Sequence, residues 1–277
     1  MPVNKINGRI TLNNKVTMPQ LGLGVWRAAD GPETKNAVLW ALESGYRSID
    51  TAALYENEAS VGEGLRDSGV TRDEVFVTTK VWNTDQGYET TLKAFDKSLK
   101  LLKLDYVDLY LAHYPVPDKY TDTWRALEKL LGEGLVRAIG VSNFHTHHLD
   151  NLLGSCNVPP AVNQIELHPY LSQKALIDYD NKHDIVTEAW APIAKGRVLG
   201  EEIIVALAEK YGKTPAQVVL RWELQQEIVI IPKSVHKERI VENAGIFDFA
   251  LTAGELAKID ALERNGRIGT DPDLMKY

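Results

Sequence analysis

The chain has 277 residues, of which 44% are hydrophobic and 25% are charged, and its formal net charge is −7. This is the composition of a globular protein with a sizeable core, and an acidic balance without a basic run argues against binding to nucleic acid or an anionic membrane. The N-terminal residues lack the apolar core of a signal peptide, and no apolar run approaches transmembrane length. With one cysteine, Cys156, no internal disulfide can form. We expect a cytoplasmic protein, and nothing requires more than a monomer.

Eight short apolar runs alternate with amphipathic segments along the chain. A hairpin at 9–18, with Asn13-Asn14 as a two-residue turn, comes before them. The eight predicted strands are 20–25, 46–50, 75–80, 106–113, 136–142, 161–168, 185–192 and 228–233. Helical periodicity between strands is clearest at 33–44, 90–101, 121–131 and 201–211. This alternation predicts βαβ units and a parallel sheet.

Two architectures fit this alternation, a closed (β/α)8 TIM barrel and a doubly wound open sheet. Eight units over this length, and a hairpin able to cap the bottom of a barrel, favour the barrel. The open sheet lacks its dinucleotide-binding fingerprint, because no third glycine follows Gly22-Leu-Gly24. No linker divides the chain, so we predict one domain over 1–277, with 264–277 as surface coil.

Four ionisable residues fall at the C-terminal ends of three consecutive predicted strands. Asp50 ends the second strand and Tyr55 follows it, Lys80 ends the third strand, and His113 ends the fourth. Active sites of barrels lie at this end, so we expect the four side chains in one pocket. Lys80, kept charged by Asp50, is expected to lower the pKa of Tyr55, and His113 can donate a hydrogen bond to a carbonyl oxygen. A buried Asp–Lys pair can also be purely structural, but the combination predicts delivery of a proton.

An aldolase that forms a Schiff base on Lys80 is a second hypothesis for the same lysine. Such a lysine needs a lowered pKa, whereas a neighbouring Asp50 raises it. The sequence therefore argues against the aldolase.

Three histidines, His145, His147 and His148, stand at the start of a predicted helix. No thiolate or carboxylate lies near them at ligand spacing. We therefore predict a solvated surface cluster and no metal site.

A late helix start offers a phosphate site that needs no Rossmann loop. Lys233 precedes this helix and Arg239 lies about one turn inside it, so both cations and the N-terminal N–H groups can converge on a phosphate. Ser234 is expected to cap the helix. If the ligand is a nicotinamide cofactor, two cations on one phosphate favour NADPH, which carries an additional 2′-phosphate, over NADH. The competing interpretation is a basic first turn on a solvated helix.

Long motifs across nearly the whole chain strongly resemble the aldo-keto reductases, with the nearest likeness to the bacterial 2,5-diketo-D-gluconate reductase group. The motifs are GYRSIDTAALY at 45–55, VTTKVWN at 77–83, DYVDLYLAH at 105–113, IGVSNF at 139–144 and NQIELHP at 163–169. The resemblance implies NADPH-dependent reduction of aldehydes or ketones, including small α-keto or diketo compounds. It also implies that Asp50, Tyr55, Lys80 and His113 are a catalytic tetrad. A slow NADP(H)-binding sensor is the non-enzyme alternative.

The resemblance further implies a row of cofactor contacts. The nicotinamide carboxamide is bound by Ser142, Asn143 and Gln164, and its ring stacks on Trp190. The pyrophosphate lies along a loop that contains Ala191, Ile193 and Lys195. The 2′-phosphate region is held by Lys233, Ser234, Val235 and Arg239, and adenine is contacted by Glu242 and Asn243.

Three aromatic residues, Trp26, Trp82 and Tyr114, follow predicted strands and are expected to wall the substrate pocket. Two positions depart from the family pattern. Tyr114 stands where tryptophan is usual, which predicts a wider and more polar pocket, and Ala191 stands where serine or glycine is usual.

Overall fold

The computed structural model describes residues 5–275. Over that range ten β-strands and ten α-helices alternate, with short 3-10 turns between some of them. The strands are β1 Arg9–Thr11, β2 Thr17–Pro19, β3 Leu23–Gly24, β4 Ser48–Asp50, β5 Phe76–Val81, β6 Val107–Ala112, β7 Val136–Ser142, β8 Val162–Glu166, β9 Val186–Trp190 and β10 Val229–Ile230. The helices are α1 Pro32–Glu43, α2 Glu58–Asp67, α3 Tyr88–Leu102, α4 Tyr120–Gly132, α5 Thr146–Leu153, α6 Lys174–Lys182, α7 Glu202–Tyr211, α8 Pro215–Leu224, α9 Lys237–Ala244 and α10 Ala253–Asp260.

Strands β3 to β10 form one parallel sheet in which neighbours in space are neighbours in sequence. The sheet closes on itself, because parallel bridges join Leu21 to Ile230 and Gly24 to Lys233. A Cβ at Gly24 would lie 2.8 Å from the carbonyl oxygen of Ile231, so this contact between the first and last strands requires glycine. The predicted TIM barrel is confirmed, and the doubly wound alternative is wrong.

The N-terminal hairpin closes the bottom of the barrel, as predicted. Leu12 and Met18 are buried in a cluster with Phe76, Leu109 and Val229 from the barrel strands. Two further contacts tie the loop to the barrel, since the Asn14 side-chain amide donates to the carbonyl of Arg137 in β7 and that of Asn13 donates to the carbonyl of Pro160 ahead of β8.

The turn of this hairpin differs from the predicted two-residue form. The Leu12 N–H donates to the Val16 carbonyl at 2.8 Å, which leaves three residues, 13–15, in the loop. Lys15 completes it with a φ of 71°. The Asn13-Asn14 pair predicted the place of the turn correctly, but the left-handed residue is the lysine that follows.

The helices pack their apolar stripes against the outside of the barrel. In α4, Tyr120, Trp124 and Leu127 recur every three or four residues and are all buried. The interval after β9 holds both α7 and α8, because Gly212 ends α7 at a φ of 61° and Thr214 starts α8 with a capping box. Among residues 5–275, no helix is long and apolar enough to span a membrane.

Candidate active site at the C-terminal ends of the strands

The fold brings Asp50, Tyr55 and Lys80 into direct contact. The Lys80 Nζ donates to Asp50 Oδ1 at 2.6 Å and to the Thr51 carbonyl at 2.9 Å, and it lies 3.4 Å from the Tyr55 hydroxyl. The Lys80 and Asp50 side chains are only 0% and 3% exposed. A buried ammonium that lies between a carboxylate and a phenol can stabilise negative charge on the phenol oxygen.

The pKa values in this group follow from burial and from the ion pair. Burial alone lowers the pKa of Lys80, but its ion pair with Asp50 raises it, so that the pKa lies above its usual value overall. Burial raises the pKa of Tyr55 to about 12 and outweighs the lowering effect of Lys80. Lys80 thus lowers the pKa of Tyr55 as expected, but burial raises it by more, and Tyr55 remains a protonated phenol at neutral pH.

His113 lies beside Tyr55 with its ring in an aromatic cluster. Its ring centroid is 5.8 Å from that of Tyr55, 5.1 Å from that of Trp82 and 5.7 Å from that of Tyr114. Burial, with the nearby charge of Lys80, lowers the pKa of His113 well below its usual value. A neutral imidazole in an aromatic wall is a hydrogen-bond donor to a carbonyl oxygen, not a general acid.

A second layer of polar residues supports this group. The side-chain amide of Gln164 donates to Asp50 Oδ2 and to Glu188 Oε2, both at 2.8 Å. Because both N–H groups are used, the amide oxygen of Gln164 is the atom left to accept a hydrogen bond. Burial and the charge of Asp50 raise the pKa of Glu188 to about 8. Sequence reasoning missed Glu188, although a carboxylate inside a buried strand was a signal.

Asn143 joins the ends of several strands. Its side-chain amide donates to the His113 carbonyl at 2.9 Å, and its Oδ1 accepts from Trp190 Nε1 at 2.9 Å. Its backbone N–H donates to the Gln164 carbonyl, and its φ is 62°. Asparagine tolerates the left-handed region better than most residues, and here the conformation places four predicted site residues in fixed relation.

The predicted pyrophosphate loop begins directly after β9. Ala191 and Lys195 have φ values of 54° and 53°, so the chain turns sharply at both residues. The Lys195 Nζ lies 4.9 Å from the centroid of the Trp26 ring. Ile193 is half-buried and packs against the core. The loop therefore borders one wall of the predicted substrate pocket.

The predicted phosphate site lies at the start of α9. Lys233 and Arg239 are exposed, and neither forms an ion pair with a side chain of residues 5–275. His236 is the residue before the helix, and Ser234 Oγ accepts from the His236 N–H at 3.1 Å. Ser234 therefore forms a turn ahead of the helix and does not cap it as predicted. Two unpaired cations beside free helix N–H groups suit an anionic ligand.

The two predicted adenine contacts differ in their surroundings. Glu242 is half-buried and its Oε1 accepts from Thr214 Oγ1 at 2.7 Å, which ties α9 to the start of α8. Asn243 is buried, and Val235 on the other side of the helix start is half-buried.

Comparison with known proteins places the chain in a family. A model of the Aldo/keto reductase family matches residues 20–264. The chain belongs to this family. It is 54% identical over 277 residues to the glyoxal reductase of Bacillus subtilis (strain 168), with 100% of each chain covered. It is 56% identical over 267 residues to the 9,11-endoperoxide prostaglandin H2 reductase of Trypanosoma cruzi (strain CL Brener), with 95% of this chain and 94% of that protein covered.

A solved structure extends the likeness to the cofactor. A mutant of Gox0644, crystallised in complex with NADPH, has a TM-score of 0.93 and 47% identity to this chain, with 98% of this chain and 99% of that chain covered. The predicted enzyme class, an aldo-keto reductase that uses NADP(H), is thereby confirmed. The relatives above do not single out the 2,5-diketo-D-gluconate reductase group.

In this aldo-keto reductase the C-terminal tail crosses the mouth of the barrel. Glu166, at the end of β8, accepts hydrogen bonds from the Ile268 N–H at 2.6 Å and the Gly269 N–H at 2.8 Å. A Cβ at Gly269 would collide with the Trp190 ring. The segment predicted as surface coil is thus fixed against the residue predicted to stack on nicotinamide, with residues 276 and 277 outside the described range.

The tail also reaches the three histidines. Asp273 carboxylate oxygens lie 3.0 Å from His145 Nδ1, 3.0 Å from His147 Nε2 and 3.4 Å from His148 Nε2. The sequence showed no carboxylate at ligand spacing because Asp273 stands 128 positions after His145. The fold supplies this carboxylate, and the cluster keeps the surface position predicted for it, with the His147 side chain 60% exposed.

Proposed function

We propose that this protein reduces small aldehydes and α-dicarbonyl compounds to alcohols with NADPH, and that Tyr55 is the general acid. The observation that carries the proposal is the Lys80 ammonium, which contacts both Asp50 at 2.6 Å and the Tyr55 hydroxyl at 3.4 Å. The Asp50 carboxylate keeps the buried lysine charged, and that charge lies next to the phenol oxygen of Tyr55.

NADPH, when bound, supplies the hydride that the carbonyl carbon takes up. The neutral His113 donates its N–H to the carbonyl oxygen and holds it near Tyr55. The Tyr55 hydroxyl then protonates the alkoxide, and Lys80 stabilises the phenolate that remains. Since burial raises the pKa of Tyr55 to about 12, the acid form is present throughout the neutral range. The reverse reaction needs phenolate and is therefore favoured only at high pH.

We propose that the cofactor runs from the tetrad to the start of α9. The amide oxygen of Gln164 suits the carboxamide N–H, with Ser142 and Asn143 beside it. Trp190, held by Asn143, provides the face for the nicotinamide ring. The exposed cations at the start of α9 suit the 2′-phosphate, which is the group that distinguishes NADPH from NADH.

The substrate class is inferred from the wall of the pocket and from the likeness to the glyoxal reductase. Trp82 and Tyr114 stand edge to face, with ring centroids 6.3 Å apart, next to His113. The Tyr114 hydroxyl adds a polar group where the family usually has an indole. We infer that small, polar carbonyl compounds fit better than large apolar ones, and that diketo sugar acids are a second substrate group to test.

The test replaces one hydroxyl and keeps the ring. We expect Tyr55→Phe to bind NADPH normally, as measured by fluorescence, and to lose about 10²- to 10⁴-fold in kcat with glyoxal. Tyr110→Phe is the matched control, because Tyr110 is buried and its hydroxyl has no hydrogen-bond partner within residues 5–275. Wild-type turnover in Tyr55→Phe would refute the role of the phenol.

A panel of carbonyl compounds tests the reaction itself. We expect consumption of NADPH absorbance with glyoxal, methylglyoxal and simple aldehydes. Binding of NADPH without consumption across the panel would favour the sensor. The Schiff-base aldolase predicts that borohydride traps substrate on Lys80, and the raised pKa of that buried lysine argues against it.

A further inference from the structure

We propose a divalent transition-metal site, of the kind that binds Zn²⁺, formed by His145, His147 and Asp273 at the edge of the barrel mouth. These side chains, together with His148, offer ligand atoms that all lie within 4.8 Å of one another. Two imidazoles and a carboxylate are ligands that Zn²⁺ accepts, and the site contains no residue of the proposed proton-delivery group.

The distances fit a shared ion. His145 Nδ1 lies 3.0 Å from one oxygen of Asp273, and His147 Nε2 lies 3.0 Å from the other. Ligand atoms bound to one Zn²⁺ at about 2.0–2.1 Å in a tetrahedron are separated by roughly 3.3 Å. An ion can therefore replace the two ring-to-carboxylate contacts with small movements of the side chains.

His148 is a positioning residue in this site and not a ligand. The backbone N–H of His145 donates to His148 Nδ1 at 3.1 Å, so the proton of the neutral ring is on Nε2. That Nε2 faces Asp273 Oδ1 at 3.4 Å and can hold the carboxylate in place. The remaining coordination positions are left to water.

The site is both accessible and supported. The His147 and Asp273 side chains are 60% and 45% exposed, so an ion can enter from solvent. The backbone at Asp273 is held in a short turn, in which Asp271 Oδ1 accepts from the Asp273 N–H at 3.0 Å. The histidines lie at the start of α5, and His145, the first of them, is two positions after Asn143. A bound ion would join the C-terminal tail to this helix.

The experiment uses the untagged full-length protein, since a polyhistidine tag binds the same ions. We expect one equivalent of Co²⁺ to produce a visible d–d absorption band and Zn²⁺ to displace it stoichiometrically. His147→Gln and Asp273→Asn should each weaken Co²⁺ binding by at least about tenfold. His183→Gln, a histidine outside the cluster, is the matched control and should bind Co²⁺ as the wild type does.

Circular dichroism of each variant shows whether the fold is retained, which is expected for the exposed positions His147 and Asp273. The His148→Gln variant should keep the shape of the Co²⁺ spectrum, whereas His147→Gln should change it. Absence of a saturable one-equivalent site, or unchanged binding in Asp273→Asn, would overturn the proposal. None of these measurements depends on reductase activity, so they stand apart from the proposed function.

Discussion

The two ends of the barrel each bury a carboxylate that is paired with at least one cation, but they complete its hydrogen bonds differently. At the bottom, Asp108 is 1% exposed and accepts from Arg72 at 2.7 Å, the Val77 N–H at 2.9 Å and Arg137 at 2.8 Å. Its charge is balanced and its oxygens are satisfied by the protein itself. This is how a barrel uses an ion cluster for structure alone.

At the top, the corresponding cluster leaves hydrogen-bonding capacity open. Asp50 is fully engaged by Lys80 and Gln164. However, His113 Nδ1 and Glu188 Oε1 have no hydrogen-bond partner within residues 5–275. Burying polar atoms without partners costs free energy, and these two atoms lie beside the group formed by Asp50, Tyr55 and Lys80, where a bound ligand can reach them. Arg72 Nε at the bottom is also without a partner within residues 5–275, so the clearest difference is that only the top cluster places a cation between a carboxylate and a phenol.

The largest expected difference between the two ends comes from removing one cation from each. We expect Lys80→Met to reduce kcat by about 10²- to 10⁴-fold and to destabilise the fold by about 3–5 kcal/mol, because it leaves Asp50 buried without its counter-ion. Arg137→Met should cost at most about 1 kcal/mol and leave kcat unchanged, because Asp108 keeps Arg72. Urea unfolding and steady-state kinetics measure both effects. A Lys80→Met enzyme with normal kcat would contradict the contrast.

Neutralising the bottom carboxylate should affect stability alone. Asp108→Asn keeps the shape of the side chain but weakens its bonds to Arg72 and Arg137, and we expect a loss of about 1–3 kcal/mol in the free energy of unfolding. The kcat per folded molecule should equal that of the wild type. A fall in that kcat would show that the bottom cluster also serves the reaction.

The pH dependence of stability should be traceable to Glu188. Because burial raises the pKa of Glu188 to about 8, the folded protein keeps this proton while the unfolded chain loses it, and stability falls as pH rises from about 4.5 to about 8. Glu188→Gln lacks this titration. The stability of the variant relative to wild type should therefore increase across that window and stay level above it. Thermal unfolding at several pH values measures the difference, and a constant difference would rule out the assignment.

The smallest expected effect concerns the pocket wall. Tyr114→Phe removes the hydroxyl but keeps the ring that packs on His113 and Trp82. We expect the KM for glyoxal to rise by roughly two- to tenfold, the value of one lost hydrogen bond, with little change in kcat. Tyr106→Phe, a tyrosine at the bottom under Arg72, should change neither. If both substitutions changed the KM equally, the Tyr114 hydroxyl would have no role in binding glyoxal.

The sequence predicted the barrel and the meeting of Asp50, Lys80 and His113 because parallel strands place their C-terminal ends on one face. The length of each apolar run and the order of the runs along the chain can both be read directly from the sequence. The net pKa of Tyr55 was not predictable in the same way, since it depends on how completely the whole barrel excludes water. The expected cap at Ser234 was wrong by two residues, because a serine preceding a helix can form a turn as well as a cap.

The approach of Asp273 to the histidines was beyond sequence reasoning for a different reason. No local pattern indicates where a tail whose described residues, 264–275, form only a short 3-10 turn will return to the barrel. Its path depends on the Glu166 contacts to the Ile268 and Gly269 N–H groups. Those two bonds use backbone donors, which every residue except proline carries, so the letters at these positions do not reveal them.

Gly269 also bears on how this enzyme could diverge. With no room for a side chain between the Trp190 ring and Glu166, position 269 fixes the register of the tail against the barrel. Insertions after it would lengthen the segment between this anchor and Asp273 without disturbing the barrel, whereas insertions before it would move the tail from its contacts with Glu166. Variation in substrate range among descendants of this chain is therefore expected to accumulate after Gly269. A library for altered selectivity is best built in the same segment.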